Sequence, residues 1–200
     1  MRRFVSLAVL MALAGSAASA AAPATKVVEF EAYDGYGRLA YGLTVTERAK
    51  GHCSGSLTTV RPDAWRCFTN ESMIYDPCFT VSPAAKQVAC PLSYFQHTVA
   101  VVTLTEPSVW PTGQDAREVK ALRPPDFEPW ALALSGGATC WFASGATFAV
   151  GQLRANYVCS HDVWVVGYPR EVKSGYWEAR VVREDDQATV LIRAVKTEVL

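Results

Sequence analysis

Six cysteines, Cys53, Cys67, Cys78, Cys90, Cys140 and Cys159, constrain this chain more than any other feature of its sequence. No two of them stand at C-x-x-C spacing, so neither a structural zinc cluster nor a thioredoxin-type redox centre has support. The N-terminus decides how the even count is read. "MRRFVSLAVLMALAGSAASA" carries two arginines, an apolar run from Phe4 to Ala14, then small residues ending in the A-x-A pattern Ala18-Ser19-Ala20. Residues 1–20 read as a signal peptide, and the exported chain is expected to start at Ala21 and to be secreted or periplasmic. Its apolar run falls short of the roughly 20 residues that span a bilayer. No later run is longer, so no membrane span is expected after cleavage.

In an oxidising compartment, six cysteines read as three disulfides. Fifteen pairings are open to them. The expected one joins sequence neighbours, Cys53–Cys67, Cys78–Cys90 and Cys140–Cys159. Each bond would close a short loop worth on the order of 3 kcal/mol in the chain-entropy model. Three of them rival the whole stability of a domain, about 5–15 kcal/mol, so their role is structural.

Composition narrows the rest. Half of the chain is apolar, which excludes disorder. The 19 basic residues match the 19 acidic ones, and losing Arg2 and Arg3 leaves a slight acidic excess. That balance argues against nucleic acid as a partner. Residues 21–200 suit one β-rich domain.

Along the chain, short alternating or apolar runs are punctuated by Gly, Pro and Asp. "KVVEFEAY", "RLAYGLTVTE", "SMIYDPCFTV", "KQVAC" and "HTVAVVTLT" read as strands. So do "WALAL", "TCWFA", "TFAV", "RANYVC", "DVWVVGY", "YWEARVV" and "ATVLIRAV". The expected fold is mainly β, with antiparallel strands in a sandwich or barrel-like arrangement and one or two short helices. "RPDAWRCF", with Asp63 as N-cap, and "GQDAREVKALR" are the two helical candidates. A proline-rich connection, 107–129, separates a cysteine-rich half, to about 106, from a strand-rich half, 130–200.

Catalytic signatures are thin. "GHCSG" matches a nucleophile elbow with Cys53 in the serine position, but the elbow needs a βαβ setting that this chain lacks. A free thiol there would also leave an odd number of cysteines. A triad can be drawn from Ser54 or Ser56, His97 and Asp76, yet triads are defined by geometry, not by sequence position. His161 beside Asp162, in "CSHD", reads as an exposed turn between strands, and His52 completes the histidines. No catalytic residue, cofactor or metal ligand is assigned. Asn70-Glu71-Ser72 matches the glycosylation sequon, a short and frequent pattern. Trp65, Trp130, Trp141, Trp164 and Trp177 lie in apolar runs, where burial is the default and a carbohydrate- or peptide-binding platform is the alternative for one or two of them.

The densest stretch, "DAWRCFTNESMIYDPCF", reads as a disulfide-bound corner. Asp63 and Arg66 are spaced to pair on one helical turn, and Asp76 lies ten residues beyond Arg66. Trp65 and Tyr75 are placed to pack on the half-cystines. At these residues the chain resembles a family. "RPDAWRCF", "IYDPCF", "VACP", "PWALALSGGATCWFASG" and "NYVC" are similar to motifs of an uncharacterised six-cysteine domain of exported bacterial, especially actinomycete, proteins. The similarity runs from about Gly51 to Tyr176. It departs at Ser54, where the related motif has Trp, and at Phe68, where it has Met. It implies paired cysteines and a structural role for Trp65, Arg66, Tyr75 and Asp76. It supplies no catalytic residues.

The function these readings imply is a non-enzymatic binding or sensory module outside the cell, for an unidentified small molecule, glycan or protein. Two alternatives belong to other classes. One is a small secreted hydrolase with a hidden Ser/His/Asp set, and the other an inhibitor of a secreted enzyme.

Overall fold

The structure, a computed structural model, describes residues 23–59, 61–82, 85–106 and 128–200. After the short β1 (Lys26–Val28), the first half builds β2 (Thr44–Gly55), β3 (Ala64–Thr69), β4 (Ile74–Phe79), β5 (Gln87–Ser93) and β6 (Thr98–Leu104). These five pair in chain order and close into a barrel. Neighbours are antiparallel except at the closure, where β6 meets β2 in parallel. An odd number of strands running alternately up and down must close on one parallel pair, and the three intervening strands supply the long crossover that such a pair needs.

The second half repeats the principle with an even count. β7 (Ala131–Leu134), β8 (Thr139–Phe142), the two-residue β9 (Ala149–Val150), β10 (Leu153–Cys159), β11 (Val163–Lys173), β12 (Tyr176–Arg183) and β13 (Leu191–Val199) follow one another. β9 only flanks β10. The other six form a ring that closes antiparallel, β13 on β7. β1 lies parallel beside the C-terminal end of β13. The mainly β, barrel-like class expected from the alternation is the observed one.

The helix expected over "RPDAWRCF" is a strand instead. Ala64–Thr69 is β3, with Trp65, Cys67 and Thr69 turned inward and Arg66 and Phe68 partly exposed between them. Sheet pairing overrides the local cap signal. Cys67 stands directly opposite its disulfide partner Cys53 on β2, and Trp, Phe and Thr suit a pleated surface. Asp63 therefore caps nothing. The second helical candidate lies outside the described residues. Among the described residues, helix is limited to a single 3-10 turn at Tyr94–Gln96.

All three disulfides join the expected neighbours, Cys53–Cys67, Cys78–Cys90 and Cys140–Cys159. The first two lie side by side in the first barrel, with the sulfurs of Cys67, Cys78 and Cys90 within 4.8 Å of one another. Trp65, Val88, Ala100 and Val102 pack around them, and Tyr75 flanks the cluster. Alkylation of the folded protein without reductant is expected to label no cysteine, and denaturing reduction to expose all six. Labelling of Cys53 in folded material would contradict the pairing.

The two barrels share a core. Phe30, which precedes β2, meets Phe79, Tyr94 and Trp130 at ring distances of 5.2, 6.1 and 5.5 Å. Ala64, Ala89 and Val99 join this cluster from the first barrel, and Ala131 and Val199 from the second. Arg61 locks the seam. It is only 4% exposed, and its guanidinium grips Asp63 with two bonds of 3.0 and 2.8 Å. It also donates to the carbonyls of Phe30 and Leu200 at 2.9 and 2.7 Å and lies over the Phe79 ring. One planar fork thus ties three chain segments together, a task suited to arginine.

Candidate functional site

Where the barrels meet, a cleft of about 80 Å³ opens between the 91–95 stretch of the first and β7–β8 of the second. Its walls are largely aromatic: Tyr94, Phe95, Trp130, Trp141 and Phe142. Trp141 stands at its lip, 52% exposed, and Leu92 beside the cleft is partly exposed too. The strand explains the placement. Cys140 is buried and held opposite Cys159 by the disulfide, so the next residue along β8 must face the other way. The expectation that Trp141 is buried is thereby corrected, whereas Trp65 and Trp130 are buried as expected. Trp130 contributes a second feature: its indole N–H is buried and has no acceptor among the described residues.

Asp76 forms the floor on the side of the first barrel. Its side chain is fully buried and accepts from Ser56 Oγ at 2.5 Å, Thr58 Oγ1 at 2.8 Å and the Leu57 N–H at 3.1 Å. Burial pushes the carboxyl up from the ordinary range, and these bonds together with the Arg66 charge pull it back part of the way. Arg66 stands 3.9 Å from it. The expected Asp63–Arg66 pair does not form: Asp63 belongs to Arg61, and Arg66 to Asp76. Tyr75 bonds Glu47 through its hydroxyl at 2.6 Å.

The residues of a drawn triad are not brought together as one. Ser56 bonds Asp76 directly, with no imidazole between them. His97, in a left-handed conformation after the 3-10 turn, sits against the Tyr94 ring. Ser54 lies opposite Arg66 on the β2–β3 ladder. His52 stacks on Phe68 and comes within 3.7 Å of Glu106. "GHCSG" is the C-terminal end of β2 rather than an elbow. Gly51 is glycine because a Cβ there would overlap the Phe68 carbonyl across the ladder. Ser160, His161 and Asp162 make the three-residue hairpin turn between β10 and β11, the last two at positive φ.

One buried acid escaped the sequence reading. Glu198 on β13 is opposite Leu132 on β7, a residue of the second barrel's core, and is only 2% exposed. Its Oε1 has no hydrogen-bond partner among the described residues. Burial, and secondarily the Glu171 charge, push its carboxyl up to about 7.

No family model, curated protein or solved structure matches this chain. Fold and site together define a class instead: a double β-barrel, pinned by three disulfides, with an aromatic cleft at the joint. No described helix is long and apolar enough to cross a membrane, and the disulfides suit an oxidising compartment.

Proposed function

We propose that the protein is an exported, non-enzymatic binding module that recognises an extended partner, glycan or peptide, through the aromatic cleft between its barrels. The observation that carries this reading is Trp141, a large ring held half exposed beside a disulfide-fixed strand. Aromatic rings in such settings dominate recognition energetics, because they offer much contact area for little loss of side-chain freedom. The cleft, about 80 Å³, is far below the roughly 300–1,000 Å³ of pockets that enclose a drug-sized ligand. A partner inserts one ring or side chain there and lies across the surface. The signal-like N-terminus and the similarity to an exported six-cysteine bacterial domain support the setting outside the cell.

The test combines glycan and peptide arrays with a turnover screen on generic ester, peptide and glycoside substrates. A retained array ligand is expected to bind at least roughly tenfold more weakly to Trp141→Ala, as for an interface hot spot, while the melting temperature holds. No turnover is expected. Turnover lost in His97→Ala or His161→Ala would establish the hydrolase alternative, and a ligand indifferent to Trp141→Ala would remove the cleft from recognition.

A further inference from the structure

A different cavity, about 190 Å³, opens at the end of the second barrel where the His161 turn lies. Its wall is apolar, built by Leu134, Ala138, Val163, Val181 and Leu191. Its rim carries His161, Arg183 and Arg193. Arg193 is in an unusual place. It pairs across the ladder with Ala179, and its neighbours two residues away are Leu191, opposite Val181, and Val195, opposite Leu134. Ala179, Val181, Leu134 and Val195 all belong to the barrel core. Cross-strand partners share a face, so Arg193 continues the inward file of the barrel at its open end, where Arg193 and Leu191 are themselves exposed.

The charges at the rim are unequal. Arg183 is already bonded to Asp185 at 2.9 and 3.3 Å, with Asp162 and Asp186 nearby. Among the described residues no carboxylate lies within ion-pair distance of Arg193. Size points the same way. An apolar cavity of about 150 Å³ accepts a benzene ring, and this one is slightly larger and open at the charged end.

We propose that the mouth of the second barrel binds a small monocarboxylate with a compact apolar body, such as an aromatic acid. The ring lies against Leu134, Val163 and Val181, and the carboxylate pairs with Arg193. A dianion is disfavoured, because the three aspartates beside Arg183 would repel its second charge while only one uncommitted arginine attracts it.

Benzoate is the probe, followed by amide chemical shifts of the full exported chain, with benzamide and phenylphosphonate as neutral and dianionic comparisons. Benzoate is expected to saturate with a Kd of about 1 mM, the range that its atom count allows. The shifts should centre on residues 134–138, 161–163 and 191–193 and leave Trp141 unmoved. Benzamide and phenylphosphonate should each bind at least roughly tenfold more weakly, about the loss of one charge-assisted contact. Arg193→Gln should lose benzoate to the same degree, and Arg193→Lys should retain most of it. Filling the cavity with Ala138→Leu should abolish binding even if Arg193→Gln proves unstable. Absence of saturable shifts with benzoate, equal binding of benzamide, or binding untouched in both Arg193→Gln and Ala138→Leu would overturn the proposal.

Discussion

Arg61→Ala is expected to destabilise the protein by about 2–4 kcal/mol, because two buried carbonyls lose a charged donor, whereas Asp63 is partly exposed and its lost partner adds little. The change strips Asp63 of both its bonds and leaves the carbonyls of Phe30 and Leu200 without this donor. It also opens space above Phe79, at the seam where both barrels meet. Arg66→Ala is the informative comparison. Asp76 would keep its donors from Ser56, Thr58 and Leu57, so about 1–2 kcal/mol is expected there. Denaturant unfolding of both variants decides the matter. Equal losses would mean that Arg61 holds no special place at the seam.

Glu198 sets the second large effect, and its sign follows from linkage. Its carboxyl titrates at about 7 in the folded protein against an ordinary 4.5, so the folded state holds a proton that the unfolded state has released between those values. Wherever the folded state binds more protons, stability falls as pH rises. The contribution is therefore intact below about pH 4.5 and declines through about pH 7. Allowing for screening by nearby solvent, the loss amounts to about 2 kcal/mol. Subtracting the pH profile of Glu198→Gln from that of the wild type isolates this group, because the raised Asp76 and the lowered Asp34, Asp185 and Asp186 are common to both. A difference that slopes down between pH 4.5 and 8 is expected, and parallel profiles would contradict it.

The disulfides and most strands were legible in the sequence because their signals are local. Neighbouring half-cystines and alternating side chains need only a few residues to declare themselves. The "CSHD" turn was legible for the same reason. β3 was misread because Asp63 and Ala64 satisfy a helix cap locally, while the pairing that overrules it comes from β2 and β4. The closures, β6 on β2 and β13 on β7, join segments too distant for any pattern to reveal. Arg61 gave no signal, since its partners include residues 31 and 139 positions away. Trp141 did leave one. A residue adjacent to a buried half-cystine in a strand must face the opposite side, and that rule outweighs the apolar run around it.

Apart from the short flanking β1 and β9, every described strand has a hydrogen-bonded neighbour on both sides. An exposed strand edge invites pairing with any extended polypeptide and is a common seed of aggregation. Among the described strands, ring closure withdraws that invitation from all but β1 and β9. Within the two rings main-chain addition finds no free edge, so recognition there rests on side chains such as Trp141 and Arg193.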